Sequence, residues 1–234
     1  MAGPEIFIVF VLLAVGLLIF TLVRNRKRRE EIHQLAAQLG MTYSRHDATG
    51  IVRLPFDLFR MGAGQGVENV LSGVRGDAPT YLFDYWYYTE TRDSKGNVSR
   101  SYNHFSCAMV ELSGRFPNLS IAPEGLLTRL ADGIGMRDIT FESEEFNRRF
   151  EIRSDNRKFA FDLIDARMME WLLAYSGKAR WEISGPYLLC AVSRIPIAGW
   201  PGLADRPLLF RENIPRVVWS LYGPGEGQRG VEVQ

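Results

Sequence analysis

The sequence contains few cysteines and has no excess of either charge. Only 2 of its 234 residues are cysteine, which excludes a disulfide-stapled scaffold and a zinc module with four cysteine ligands. Its 28 basic and 27 acidic residues leave a net charge of +1, so composition gives no basis for nucleic-acid binding. With 46% hydrophobic residues the chain is too apolar to be disordered, and its length suits one globular domain with an appendage.

An apolar run near the N-terminus predicts a membrane anchor. Residues 6–23 read IFIVFVLLAVGLLIFTLV and contain no charged side chain. As a helix this run measures about 27 Å, close to the thickness of the bilayer hydrocarbon, where a helix satisfies its own backbone. A buried core helix is a weaker alternative because soluble helices need a polar face. A cleaved signal peptide is also weaker, because no basic side chain precedes the run and no A-x-A site follows it.

The segment after the apolar run is basic, which predicts the orientation of the anchor. Lys and Arg beside a membrane span stay on the cytoplasmic side, so we expect a single-pass cell-membrane protein with its N-terminus outside and its remaining domain in the cytoplasm. The same cations would attract anionic lipid headgroups. These candidate membrane-surface residues are Arg24, Arg26, Lys27, Arg28 and Arg29.

The basic flank belongs to an amphipathic extension of the same helix, over residues 24–40. Ile32, Leu35, Ala36 and Leu39 recur at the spacing of one helix face, and Gly40 suits the helix end. We expect this apolar stripe to pack on the following domain; pairing with a second copy is the alternative. His33 lies off the stripe and should be exposed.

Residues 41–222 have the pattern of one α+β domain that combines a mixed antiparallel sheet with helices. Residues 223–234 are rich in glycine and predict a disordered tail. We predict strands over 67–74, 80–91, 98–112, 118–122, 139–141 and 149–153, a hairpin of 180–183 with 186–193, and helices over 124–131, 158–164, 166–175 and 207–221.

The strand over residues 80–91 is unusually aromatic. Its sequence TYLFDYWYYTET places aromatic rings on both faces at period two, which predicts a strand covered on both sides. The following D-S-K-G-N at residues 93–97 is typical of a hairpin loop, so residues 98–112 should pair with this strand.

The motifs that could carry chemistry are weak. GAGQG at residues 62–66 lacks the Gly-Lys-Ser/Thr of a P-loop and the strand–helix context of a dinucleotide site, so we interpret it as a flexible loop. In H-F-S-C, period two places His104 and Cys107 on opposite strand faces, which disfavours a nucleophile–base pair. Cys190 lies in an apolar strand and, like Cys107, should be a buried hydrophobe; a disulfide between them would need the opposite topology. We therefore assign no catalytic residue, cofactor or metal.

Two surfaces remain as candidates for contacts with other molecules. Ser143 suits a helix N-cap, and the polar face formed by Glu144, Asn147 and Arg148 after it is the best candidate for binding an unknown protein partner. Trp200 lies in the Pro/Gly loop IPIAGWPGL, which could pack inward or dip into the membrane surface. We add Trp200 to the membrane-surface candidates.

Two segments carry a resemblance to known proteins. Residues 140–173 contain F-E-S-E-E-F-N-R-R-F and then the apolar M-M-E-W-L-L, and residues 83–87 read F-D-Y-W-Y. These segments resemble an uncharacterised family of bacterial membrane-anchored proteins, the match covering about half of the soluble part. The resemblance implies a membrane-tethered domain and supplies no catalytic residues.

Two functions are consistent with these features. The first is a non-enzymatic cytoplasmic domain, tethered to the membrane, that binds a protein partner or acts as a scaffold. The alternative is a membrane-tethered enzyme or small-ligand binder whose pocket the sequence does not reveal.

Overall fold

A computed structural model describes residues 4–124 and 137–224. Its architecture is α+β, as predicted: a long N-terminal helix precedes an antiparallel seven-stranded sheet and its helices. The helix predicted over 124–131 and the tail predicted over 223–234 lie almost entirely outside the described residues.

The N-terminal helix α1, Pro4–Leu39, is continuous over 36 residues. It is long and apolar enough to cross a membrane, and the apolar window that meets this criterion is 0% buried. At its other end Ile32, Leu35 and Ala36 are buried in the domain core, which confirms the predicted packing of the stripe. Gly40 ends the helix at φ +63°, and the amides of Gly40 and Met41 donate to the carbonyls of Ala37 and Ala36, a Schellman motif.

Every strand pair of the sheet is antiparallel, and one long strand organises it. The strands are β1 Thr42–His46, β2 Gly64–Arg75, β3 Ala78–Arg92, β4 Val98–Pro123, β5 Arg137–Asp138, β6 Phe150–Ser154 and β7 Arg180–Ser193. One edge of β4 pairs with β7; the other pairs first with β3 and farther along with β6. Outward from β3 lie β2 and β1, and outward from β6 lies β5.

The hairpin of β3 and β4 is confirmed. Its loop is closed by Asp93, whose carboxylate accepts hydrogen bonds from the amides of Lys95 and Asn97. However, β4 is longer than predicted, because the segments predicted over 98–112 and 118–122 form one continuous strand.

The hairpin predicted over residues 180–193 is wrong, because these residues form the single strand β7. Gly185 adopts φ +56° at a register shift against β4. Trp181 before the shift and Leu188 after it face the same core although their numbers differ in parity. A bulge of this kind interrupts the alternation that the sequence pattern follows.

The prediction that GAGQG at residues 62–66 is a flexible loop is wrong for residues 64–66, which begin β2. Gly64 and Gly66 belong to β2 and lie opposite Tyr88 and Trp86 in β3. A Cβ on either glycine would approach the facing ring within 2.6–2.7 Å. The glycines therefore allow these two aromatic rings to lie flat over the β2 backbone.

Short helical segments occupy the second half of the domain. The segments are α2 Glu144–Arg149, α3 Arg157–Leu163, α4 Ala166–Trp171 with a π-helical turn over Leu172–Ser176, α5 Trp200–Asn213 and α6 Arg216–Tyr222. Ser143 caps α2 as predicted, by accepting a hydrogen bond from the Phe146 amide. The helix predicted over 207–221 is interrupted: its residues belong to α5 and α6, and Pro215 precedes α6. The strand predicted over 139–141 is wrong, because β5 covers only Arg137–Asp138 and ends before these residues.

The sheet separates two hydrophobic cores, so the aromatic strand is covered on both faces, as predicted. The larger core contains the C-terminal part of α1 and α3–α6, and Leu82 belongs to it. The smaller core lies under residues 51–61 and includes Phe83 and Tyr85. Cys190 belongs to the larger core and Cys107 to the smaller one, so the sheet lies between the two thiols and the disulfide considered from the sequence is not formed.

A buried ion pair holds residues 51–61 onto the smaller core. The Glu182 carboxylate in β7 accepts hydrogen bonds from the Asp57 and Leu58 amides and from Arg180 Nε, at 2.6, 3.0 and 2.5 Å. Burial raises the pKa of Glu182 against the opposing charge of Arg180. The phenol of Tyr85 donates to the Leu58 carbonyl from the sheet below. We interpret this cluster as structural.

Candidate functional site at the junction of the anchor helix and the sheet

The anchor helix is joined to the sheet by a buried arginine–aspartate pair. Arg28 Nε and Nη2 donate to the two carboxylate oxygens of Asp84 in β3 at 2.9 and 2.6 Å. The Arg28 side chain is 14% exposed and that of Asp84 3%. A bidentate pair with this burial holds both groups in one geometry. Arg28 was predicted to contact lipid headgroups, and this is wrong because its guanidinium is bound inside the domain.

Further hydrogen bonds complete the junction. Asn69 Nδ2 and Arg194 Nη2 donate to Asp84 at 3.0 and 3.3 Å, so four nitrogen donors surround the carboxylate. Asn69 occupies the left-handed region at φ 57°, at a bulge in β2, and accepts a hydrogen bond from the Tyr43 phenol. Arg28 also donates to the Ile195 carbonyl at 2.9 Å. The junction therefore joins α1 to strands of the sheet and to the segment after β7.

Trp200 supports the same junction from the other side. It begins α5, is 0% exposed, and its ring lies 5.6 Å from the Arg28 guanidinium carbon. The alternative in which the Pro/Gly loop packs inward is the observed one. The prediction that Trp200 contacts the membrane surface is wrong, because no part of the side chain reaches the protein surface.

The other predicted cations of the flank remain accessible. Arg24, Arg26 and Lys27 are exposed and Arg29 is half-buried. Arg26 forms an ion pair with Glu30 one turn along the helix. Their proposed contact with anionic headgroups stays a prediction.

An aromatic cluster follows Asp84 on the same face of the sheet. We define the aromatic surface as Trp86, Tyr88, Tyr102 and His104. Trp86 stacks on Tyr88 and Tyr102 stacks on His104, with ring centroids 6.4 and 6.2 Å apart. Tyr102 is 51% exposed and His104 is also exposed, whereas Trp86 and Tyr88 are half-buried. The Arg100 guanidinium lies 4.7 Å from the Tyr88 ring.

His104 and Cys107 do not form a catalytic pair. His104 belongs to the aromatic surface, whereas Cys107 is 0% exposed in the smaller core on the opposite face. Burial, and then the charge of Arg194, lowers the pKa of His104, while burial raises the pKa of Cys107. Within residues 4–124 and 137–224, no three His, Cys, Asp or Glu side chains are grouped so that they could hold a metal ion.

The three residues predicted to bind a partner do not share one role. The Asn147 amide both donates to the Phe141 carbonyl and accepts from the Phe141 amide, so it holds the chain entering α2. Glu144 and Arg148 are exposed. They lie beside β6, which pairs with the last residues of β4, so this surface is at the end of the sheet opposite the Arg28 junction.

A polar cleft of about 490 Å³ lies between residues 112–115 of β4 and the end of α6. Gly114, Arg115 and Pro186 line one side, and Leu221 and Tyr222 line the other. Gly114 has φ +152°, and a Cβ there would lie 2.4 Å from the Tyr222 carbonyl oxygen. Glycine is therefore needed for α6 to close against β4.

Sequence reasoning missed the junction and the aromatic surface as sites. Asp84 is the one charged residue in the run TYLFDYWYY, and a carboxylate on a strand covered on both faces needs a buried cation. That signal could have indicated a partner for Asp84 but not which of the 28 basic residues it is.

Comparison with known proteins identifies a related fold. No family model matches the chain, and no curated protein matches it in sequence. Among solved structures, the chain is similar to the crystal structure of the mycobacterial trehalose monomycolate transport factor A, TtfA, with a TM-score of 0.62 and 13% identity. The alignment covers 86% of this chain and 98% of that chain. The chain thus has a TtfA-like α+β fold behind an apolar N-terminal helix that fits a membrane anchor.

Proposed function

We propose that this chain is a single-pass membrane protein whose cytoplasmic domain is a non-enzymatic module for protein interaction or scaffolding. The observation that carries the proposal is the Arg28–Asp84 junction. Because α1 is continuous and its inner end is bound to the sheet, the domain is a rigid extension of the anchor. A domain held in one orientation at the membrane suits the presentation of a fixed surface to a partner in the same membrane.

The orientation of the anchor is part of the proposal. The exposed cations Arg24, Arg26 and Lys27 all follow the apolar run, and such residues stay in the cytoplasm. We therefore place the N-terminus outside the cell and the sheet domain inside it.

The likeness to TtfA supports a role in a transport process. That protein is described as a transport factor for trehalose monomycolate. By analogy of fold, we propose that this chain assists a membrane transporter and does not itself catalyse a reaction.

Glu144 and Arg148 are the proposed partner contacts. They are exposed at the end of the sheet opposite the Arg28 junction, where a partner could reach them without meeting the bilayer. Asn147 is retained in the proposal only as the residue that positions them. We also propose the resemblance to the family of bacterial membrane-anchored proteins. Two of the residues that carry this resemblance, Phe146 and Phe150, are buried, so they stabilise this surface and do not contact a partner.

The second candidate function is small-ligand binding in the polar cleft beside Gly114 and Tyr222. A volume of about 490 Å³ lies in the range of ligand sites. This candidate predicts a metabolite that protects the domain from unfolding, with loss of protection in Arg115→Ala.

In-cell crosslinking with mass spectrometry on the tagged full chain tests the proposed function. We expect one membrane protein to be recovered near stoichiometry from the native chain. Recovery should fall in Glu144→Ala/Arg148→Ala and remain in the matched control Glu170→Ala/Arg167→Ala. Recovery of the same proteins at the same yield from all three chains would refute the partner surface.

Protease treatment of intact spheroplasts tests the orientation separately. A C-terminal tag should be protected until the membrane is permeabilised. Removal of the tag from the outside would place the domain on the other side of the membrane.

A further inference from the structure

The anchor helix and β3 extend in the same direction, from the domain core toward the apolar run. The His33 ring lies 5.8 Å from that of Tyr43 in β1, and Tyr43 is in register with Leu71, which pairs with Leu82 in β3. Arg28 lies five residues nearer the apolar run than His33, and its side chain binds Asp84, which lies two residues after Leu82 in β3. Positions of α1 that are nearer the apolar run therefore contact positions of β3 that are nearer its C-terminal end.

Trp86 and His104 of the aromatic surface lie about as far from the junction as the end of the apolar run does, and Tyr88 and Tyr102 lie about 7 Å farther along the hairpin. Val23, the last residue of the apolar run, is about 7.5 Å beyond Arg28 at the rise of a helix. Trp86 is about 7 Å beyond Asp84 at the rise of a strand. Since Arg28 and Asp84 are bonded, Trp86 and the end of the apolar run are at similar distances from the junction in the same direction.

The aromatic surface is also on the same face of the sheet as the anchor. Leu82 contributes to the core that α1 covers, and Asp84 binds Arg28. Trp86 and Tyr88 follow at period two on this face, and α1 leaves them partly exposed. The surface is thus a continuation of the face on which the membrane helix lies.

The chemistry of these side chains matches a bilayer interface. Trp and Tyr are enriched where membrane meets water, because each combines an apolar ring with a polar atom. Gly64 and Gly66 leave the Trp86 and Tyr88 rings flat on the sheet. The cations Arg24 and Lys27 of α1 are exposed and complement anionic phospholipid headgroups.

We propose that the aromatic surface of Trp86, Tyr88, Tyr102 and His104 rests on the phospholipid headgroup region and forms a second membrane contact beside the anchor helix. The inference rests on the membrane anchoring in the proposed function and is independent of the protein partner. A second contact at the aromatic surface determines which face of the domain meets lipid. The opposite end of the sheet, with Glu144 and Arg148, then faces away from the membrane.

Depth-dependent quenching in the full-length protein tests this contact. A fluorescent thiol label is placed at Tyr102→Cys and, as the matched control, at Tyr175→Cys. Both native tyrosines are more than half exposed, whereas Cys107 and Cys190 are 0% exposed. Tyr175 contacts Trp171, which packs on Trp181 beside Ile121 at the far end of β4. Each protein is reconstituted in vesicles of phosphatidylethanolamine and phosphatidylglycerol that carry a headgroup spin label.

We expect the label at position 102 to be quenched by the spin-labelled headgroup and to have a several-fold lower iodide quenching constant than the label at 175. In detergent the two iodide constants should converge. Equal iodide quenching in vesicles would overturn the inference, and so would shielding from iodide without headgroup quenching, which would indicate a protein contact such as a second copy.

Flotation of the same vesicles separates this inference from the membrane anchoring. A chain that floats with the vesicles but exposes position 102 to iodide refutes only the second contact. A chain that does not float refutes the anchor and the inference together. Failure of the crosslinking experiment, by contrast, leaves the quenching result unaffected.

Discussion

Arg28 of the anchor helix and Asp84 of β3 are 56 residues apart in the sequence and share two hydrogen bonds, of 2.9 and 2.6 Å, in the protein interior. Arg28 is five residues from the apolar run, so the domain begins almost at the membrane. Together with the burial of Ile32, Leu35 and Ala36, this pair fixes the inner end of the anchor helix on the domain.

Removal of the Arg28 side chain should destabilise the domain. Arg28→Ala leaves Asp84 buried with two donors, Asn69 and Arg194, so we expect a cost of about 3 kcal/mol, the lower end for a broken buried pair. Chemical unfolding in detergent measures it. The matched control Arg26→Ala removes an ion pair whose side chains are 84% and 60% exposed, and should change stability by less than about 0.5 kcal/mol. Equal effects of the two substitutions would contradict the structural role of Arg28.

Two glycines should respond to alanine in opposite directions. At Gly114, with φ +152°, an alanine Cβ would lie 2.4 Å from the Tyr222 carbonyl oxygen, and the substitution should cost about 1–3 kcal/mol from backbone strain alone. At Gly202, inside α5, a Cβ meets no atom within 4 Å, and alanine should gain about 0.4–1 kcal/mol. Thermal unfolding of both variants checks the signs. A neutral Gly114→Ala would show that α6 does not close on β4 as described.

Both thiols should be inert in the folded protein. Burial raises the pKa of Cys190 to about 12 and the pKa of Cys107 above its usual range, so little thiolate forms at neutral pH. An aromatic disulfide reagent at mildly alkaline pH should label neither cysteine until denaturant is added. Rapid labelling of the native chain would contradict their burial in separate cores.

The domain should lose some stability as the pH falls below the ordinary pKa of histidine. Burial and the Arg194 charge lower the pKa of His104, so the unfolded chain binds this proton more tightly than the folded one. The contribution is fully present above about pH 6.5 and is lost as the pH falls from there toward the folded-state pKa. NMR titration gives that pKa directly, and the free energy of unfolding should depend less on pH in His104→Gln. A folded-state pKa above the ordinary value would reverse the sign and refute the prediction.

The sequence by itself determined the features that depend on neighbouring residues. The apolar run predicts α1, and the spacing of Ile32, Leu35 and Ala36 predicts which face of its inner end is buried. The D-S-K-G-N loop predicts the β3–β4 hairpin, and Ser143 predicts the start of α2. Each of these signals lies within a few residues of the structure it specifies, so it can be recognised without knowing the fold.

Only the tertiary structure decided the features that join distant segments. The bulges at Asn69 and Gly185 change which residues face each core, and their positions depend on the paired strands. Likewise, nothing in the sequence distinguishes Arg28 from its four basic neighbours, and the sequence around Trp200 is compatible with a loop that reaches the membrane. Whether a charge or a ring is buried depends on what the fold places opposite it, here Asp84 for Arg28 and Arg28 itself for Trp200. Those partners are set by strand register and helix packing across the whole chain, which no local pattern contains.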